Sequence, residues 1–229
     1  MNVDVIERER TRRTAADDVF DHLRGQIVSM ALPPGARLSE ADVARDCNVS
    51  RQPVREAFIR LGNMNLLLVR PQRATVVRPI SRTEILESRF IRMAVEMEIV
   101  RRACKVGSGA YKAAFEDNLT RQDVAVRGGD ADSFNDLDYE FHRLICLSAN
   151  CGFAYKTIAE NKISVERLCM LSLTDMQEQV DVYEDHLTMY DRLTARDEEA
   201  MIEITKRHLS RLNTTLDHVQ ANYPDYFEA

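Results

Sequence analysis

The sequence predicts a mostly α-helical chain in two parts: three helices closed by a β-hairpin over residues 1–79, then an antiparallel all-α bundle over residues 80–229. Three observations carry this expectation. Apolar residues recur at helical spacing along most of the 229 residues, among which there are only 8 Gly and 6 Pro. The period changes to extended runs in one place, between Asn63 and Pro79. Charge is also divided: residues 1–79 hold 13 Arg and no Lys against 10 acids, net +3, whereas residues 80–229 hold 18 basic residues against 27 acids, net −9. A chain of this length is better read as two domains than as one.

From about Ala15 to Met30, the residues Val19, Phe20, Leu23, Ile27 and Met30 share one helix face. Leu32-Pro33-Pro34-Gly35 stops that helix, because proline has no donor and glycine permits a turn. Ser39 is the expected cap of a short helix with Val43 and Ala44 inward. Ser50 is the expected cap of a third, with Val54, Phe58 and Leu61 inward and Pro53 in the first turn, where its missing N–H costs little. Leu66–Arg70 and Thr75–Arg78 read as two short strands around Pro71-Gln72-Arg73-Ala74, a hairpin, and Pro79-Ile80 as the linker.

Beyond it, Ser81-Arg82-Thr83-Glu84 is a capping box that opens a helix reaching about Lys105. Gly107-Ser108-Gly109, Gly128-Gly129-Asp130, Asn150-Cys151-Gly152, a break near Thr174 and Arg196-Asp197 cut the remainder into further helices. No apolar run approaches the roughly 18–20 residues of a membrane span. The charged N-terminus lacks the apolar core of a secretory signal, so a cytoplasmic, non-membrane protein is expected. The five cysteines, Cys47, Cys104, Cys146, Cys151 and Cys169, form no CxxC pair and are odd in number, which predicts reduced and mostly buried thiols.

Two groups of residues carry chemistry. In Asp42–Glu56 a short helix meets a tight turn and a second helix that begins with Arg51, Gln52 and Arg55. Arg51 and Arg55 are four apart and share a face, the layout of a recognition helix whose first residues enter the DNA major groove. An isolated Arg pair is more simply a solvated face; the helix-turn-helix-wing order decides for DNA. Arg51 and Arg55 can bind guanine or clamp phosphate, and Gln52 can read adenine. Ser50, Arg73 and Arg37 are expected to position the backbone. Symmetric half-sites one helical turn apart would suit a homodimer on a palindromic operator.

The second group is Asp138 and His142, spaced i, i+4, with His186 and His208 on stripes that also carry Val182, Leu187, Met189 and Leu193, then Ile202, Leu209 and Leu212. Core-facing histidines need partners. One carboxylate and three imidazoles can hold a divalent transition ion (Zn, Ni, Mn or Fe) or form a hydrogen-bonded cluster without one. Arg92, one turn before Glu96, is either a clamp for a small carboxylate or the partner of Glu96. Asn150 and Arg167 are further candidate effector contacts. His22 and His218 read as surface residues. No nucleophile elbow or HExxH-type base accompanies the histidines, so no enzyme is expected.

Pro34-Gly35-Ala36-Arg37-Leu38-Ser39-Glu40, Val49–Ala57, Arg60-Leu61 and Arg70–Arg73 together resemble the N-terminal signature of the GntR-type transcription regulators over about sixty residues. The helical remainder is similar to the FadR-type effector domain of the FCD class. The resemblance implies a winged helix-turn-helix ahead of an effector-binding and dimerisation bundle. Matched residue by residue, it also implies metal ligation by Asp138, His142, His186 and His208. Asn65 stands where the family usually has Gly and is expected to take the left-handed backbone that Asn best tolerates. Ala74 replaces a wing-tip Gly, and Ala41 stands where some relatives place a base-contacting Arg, so the operator need not match theirs. The expected function is a repressor that senses a small organic acid at the metal. A direct metal-ion sensor and a metal-dependent hydrolase are the alternatives, and the four polar ligands argue against a sensor of long-chain acyl groups.

Overall fold

The computed structural model describes residues 13–69, 74–172 and 176–228. Two compact units divide the chain, Met1–Ile27 with Ala31–Arg78, and Val28–Met30 with Pro79–Ala229.

In the first unit α1 (Ala15–Val28), α2 (Glu40–Asp46) and α3 (Arg51–Asn63) accompany an antiparallel sheet of β1 (Arg37–Leu38), β2 (Leu67–Leu68) and β3 (Thr75–Val77). The strand order is β1-β3-β2. Strands β2 and β3 fall within the two expected runs but are shorter, and residues 70–73 of the expected hairpin lie outside the described residues; β1 is an addition, paired to β3 through Arg37↔Val76. Two residues are too few to show alternation in a sequence. Helix α1 is held at its start by a reciprocal pair: the Asp17 carboxylate accepts from the Thr14 N–H at 2.9 Å, and the Thr14 hydroxyl oxygen accepts from the Asp17 N–H at 3.2 Å. The helix ends at Val28, short of Met30, because Met30 turns to φ 65°. Ser39 caps α2, accepting from the Ala41 N–H at 3.2 Å. Asn48 and Asn65 take φ 54° and 57°, so Asn65 does supply the left-handed turn ahead of the wing. Arg60 of α3 bonds Asp17 of α1 at 2.8 Å and lies 4.0 Å over the Phe20 ring, which fixes α3 against α1.

Among its described residues the second unit contains six α-helices: α4 (Arg82–Val106), α5 (Lys112–Gly128), α6 (Ala131–Ser148), α7 (Ala154–Ser172), α8 (Met176–Ala195) and α9 (Glu198–Asn222). Ser81, Asp130 and Asp197 cap α4, α6 and α9 through N–H groups three residues on. Gly129, Asn150 and Arg196 end α5, α6 and α8 with φ 64°, 56° and 57°. The break near Thr174 lies outside the described residues. One core joins Ile99, Val100, Phe115, Phe141, Ile145, Met189 and Met201. A second joins Ile80, Ile85, Val165, Leu168, Leu216 and Phe227. Ile80 is therefore no slack linker. Its N–H donates to the Tyr226 carbonyl at 2.7 Å and its carbonyl accepts from the Glu228 N–H at 3.0 Å, because an isoleucine beside a proline gains more by burial than by lying in water. Leu187, grouped above with the core stripe, is exposed. All five cysteines are free thiols. No described helix is long and apolar enough to cross a membrane.

Phe115 is fully buried, edge-on to Phe141 at 5.6 Å and stacked with Tyr190 at 5.2 Å. Phe115→Ala should cost about 3–5 kcal/mol in urea unfolding of the full chain, and a loss under 1 kcal/mol would mean that this core is not close-packed.

Candidate functional site

Helices α2 and α3 meet through a tight turn in which the Val49 N–H donates to the Ala44 carbonyl at 2.9 Å. Val54, Ala57, Phe58 and Leu61 bury one face of α3 and leave Arg51, Gln52 and Arg55 exposed on the other. Ser50 occupies the N-cap position, yet its side chain makes no capping bond, contrary to expectation. The first turn also holds no acidic residue, so its amide N–H groups remain available to an anion. Arg55 is engaged: its Nε and Nη2 donate to the two carboxylate oxygens of Glu40 at 3.2 and 2.9 Å. That fork keeps the Glu40 carboxyl below its usual range and aims Arg55 from the start of α2. Arg37 is exposed on β1, and Arg73 lies outside the described residues.

In the second unit Asp138, His142, His186 and His208 come together, each offering one ligand atom, all within 4.8 Å of one another. Helix α6 supplies Asp138 and His142, α8 supplies His186 and α9 supplies His208. The imidazoles are buried, and Phe141 stacks on His186 with centroids 4.2 Å apart. The Nε2 atoms of His142 and His208 stand 3.2 Å apart. Asp138 Oδ1 lies 3.4 Å from His186 Nε2 and 3.7 Å from His142 Nε2.

For two of the three histidines the outer nitrogen shows where the proton is. The Leu137 carbonyl accepts from Asn118 Nδ2 at 3.0 Å, so the Asn118 oxygen faces Gln122 and accepts from its Nε2 at 2.7 Å. Gln122 therefore presents Oε1 to His186 Nδ1 at 2.8 Å, and Nδ1 must be the donor. His142 Nδ1 faces Glu96 Oε2 at 2.9 Å, and His208 Nδ1 faces Asp185 Oδ2 at 3.6 Å. His208 Nδ1 has no hydrogen-bond partner, so the outer contacts set the tautomer for His186 and His142 only; the three Nε2 atoms and a carboxylate oxygen still converge on one spot. Among its neighbours His186 Nε2 finds no hydrogen-bond donor. Such a donor set fits a cation, and the outer partners orient the rings as they do around metals.

Burial pushes the His186 imidazole down to about 3, with Asp138 opposing, and burial likewise lowers His208. Burial would raise Glu96, but Arg92 and then His142 hold it at about 2. Asp138 is kept well below the usual carboxylate range against its burial, first by Lys162.

Arg92 does pair with Glu96, at 2.9 Å, and it also lines a pocket enclosing about 660 Å³ with its open mouth, beside Asp138, Lys162 and His208. Asn150 and Arg167 are not on that wall. Asn150 is exposed, its left-handed backbone spent on ending α6. Arg167 sits roughly 140° around α7 from Lys162 and donates to the Pro79 carbonyl at 3.5 Å. Sequence reasoning missed Gln122, Lys162 and Asp185, ordinary surface residue types whose only signal would have been a polar interruption of a helix core face.

A pH dependence follows. His186 and His208 have folded values below the unfolded 6.5, so the unfolded chain takes protons first. Their contribution is whole above pH 6.5 and shrinks as pH falls toward 3, with Glu96 adding to the loss below its ordinary 4.5. Chelator-treated protein should melt at progressively lower temperature from pH 7 to pH 4; a flat profile would contradict burial of neutral imidazoles.

Comparison with known proteins agrees with this geometry. Residues 15–77 match the model of the bacterial regulatory proteins of the gntR family, and residues 87–211 match the FCD domain. The chain is 34% identical over 209 residues to the HTH-type transcriptional repressor RspR of Escherichia coli (strain K12), covering 91% of this chain and 92% of that one. It is 27% identical to the probable D-xylose utilization operon transcriptional repressor of Paenarthrobacter nicotinovorans, covering 91% of each. The solved structure of E. coli McbR/YncC shares the fold, with a TM-score of 0.75 at 23% identity over 91% of this chain and 99% of that one. The exposed recognition helix, the wing and the six-helix bundle are thus those of the GntR family, and the chain belongs to it as a transcription regulator carrying an FCD domain.

Proposed function

We propose that this regulator is a repressor that binds a palindromic operator as a homodimer, and that its bundle holds one divalent transition ion (Zn, Ni, Mn or Fe) on which a small carboxylate effector rests. The observation that supports the metal reading most is the convergence of three imidazoles and Asp138, one ligand atom from each within 4.8 Å of one another, with the buried His186 Nε2 lacking a hydrogen-bond partner. Asp138, His142, His186 and His208 would hold the ion, which would supply a fixed positive charge for an anionic ligand. The adjoining pocket supports the effector reading, since it carries Arg92 and Lys162 among apolar walls such as Phe134, Val165 and Leu212. An apolar surface on α4 supports the dimer: Leu86 and Phe90 lie one turn apart and are 40% and 75% exposed.

Repression would work by population. The effector can change operator affinity only by the difference in its binding to the competent and incompetent arrangements. At the DNA end, Arg51 and the uncapped first turn of α3 would meet bases and phosphates, with Arg55 steered by Glu40.

Four measurements test this. Arg51→Ala should cost about 1–3 kcal/mol of specific operator binding and relax preference at one base; unchanged binding removes Arg51 from the reading set. Elemental analysis of purified protein should find one transition ion per chain, lost in His186→Ala while basal DNA binding survives; full occupancy in that variant excludes His186 as a ligand. Gln122→Leu should weaken metal binding about 10–100-fold by releasing the His186 ring, and wild-type affinity would refute its orienting role. Adding metal without organic acid separates effector sensing from direct metal sensing, because only the latter predicts a change in operator affinity from the ion alone.

A further inference from the structure

Charges around the centre nearly cancel before any ion arrives. Arg92 is matched by Glu96 at 2.9 Å, and Arg207 and Arg211 are matched by Asp185, at 2.7 and 2.6 Å, together with Asp181, 2.9 Å from Arg211. Lys162 on α7 is 4% exposed and donates to Asp138 Oδ2, while Oδ1 of the same carboxylate faces the His142 and His186 Nε2 atoms. Its ammonium also lies 3.6 Å from the centroid of the Tyr139 ring, and the Tyr139 hydroxyl donates to Glu166. Lys162, Asp138, Arg92 and His208 share one pocket wall.

We propose that Lys162 is the counter-cation built into this centre: it neutralises Asp138 in the ion-free protein, weakens the hold on a divalent ion, and with the ion bound provides the second positive charge that grips an organic carboxylate. The inference rests on the metal reading above and assigns a residue that the ligand set alone does not contain.

The argument is electrostatic. A divalent ion on Oδ1 and an ammonium on Oδ2 leave one negative charge between three positive ones, where neutral imidazoles offset nothing. Both cations are shielded from water, so their repulsion is felt in the affinity for the ion. The flexible lysine stem lets the ammonium reach toward the pocket while the Tyr139 face supports it. A carboxylate lying across ion and ammonium relieves the repulsion. Ion and anion must then raise each other's affinity by the same factor.

The test uses chelator-treated full-length protein, titrated with Zn²⁺ against a chromophoric chelator, with and without acetate at fixed ionic strength. Without acetate, Lys162→Met should bind Zn²⁺ at least tenfold tighter than wild type, whereas Lys162→Arg, which keeps the charge, should stay within about threefold. Acetate should tighten Zn²⁺ binding to wild type and do so several-fold less in Lys162→Met. Ion-free Lys162→Met should also melt lower and gain more from Zn²⁺ than wild type, because its buried carboxylate has lost its cation; this reads the same proposal in a variant of reduced stability. Equal or weaker Zn²⁺ binding by Lys162→Met, or an undiminished acetate effect, overturns the role of Lys162 and leaves the metal centre standing. A wild-type protein that takes up no ion overturns both.

Discussion

The second unit is organised around one constraint: three imidazoles and a carboxylate turned inward, lone pairs first, in a helical core. Unpaired polar groups in such a place cost several kcal/mol, and unpaired charges more. The surrounding polar residues read as consequences. Glu96 accepts a hydrogen bond from the outer nitrogen of His142 and is itself steadied by Arg92. Asp185, fully buried, faces His208 and is matched by two arginines from α9. The chain from the Leu137 carbonyl through Asn118 and Gln122 to His186 sets one tautomer by the direction of its amides. Every helix except α7 contributes to this orienting frame, and α7 contributes Lys162 instead.

The DNA-binding unit applies an opposite rule, keeping its functional polar groups outside. Its small core spends Val54, Phe58 and Leu61 on one face of α3 so that the other can be all polar at its start. An exposed ion pair such as Glu40–Arg55 adds little stability. Its value lies in direction: a bidentate fork restricts a long side chain that would otherwise lose that freedom on meeting DNA. Under the proposed reading, a base or phosphate that met Arg55 would have to compete with Glu40, which would penalise sequences offering only a poor fit.

How much of this was legible in the sequence divides by range. Period 3.6 and stop signals marked the helices, because Gly129, Asn150 and the Arg196-Asp197 step act through their own backbone and neighbours. Asn65 was legible for the same reason. The four inward side chains Asp138, His142, His186 and His208 were visible as a set through spacing and resemblance. Their supports were not: Gln122 and Lys162 are 40 residues apart in the chain and meet the centre only through packing of α5 and α7. Asn150 and Arg167 lie off the described pocket, because polarity near a suspected site says nothing about which way a side chain turns. The strand β1, two residues long, is created by its partner and has no pattern of its own.

The choice of ligands explains why such a centre would respond to acids. With one carboxylate and three neutral rings, a bound divalent ion would keep a net charge of about +1, and neighbouring Lys162 would raise it further. A second carboxylate in place of any histidine would cancel that charge and leave a structural staple with no demand for an anion. Placing the residual charge beside a mostly apolar cleft confines the demand to small organic acids, since inorganic anions would forgo burial against Phe134, Val165 and Leu212. Ligand count and pocket lining thus select together: the first requires a negative head and the second a carbon body. Neither alone would distinguish an effector from the salts around it.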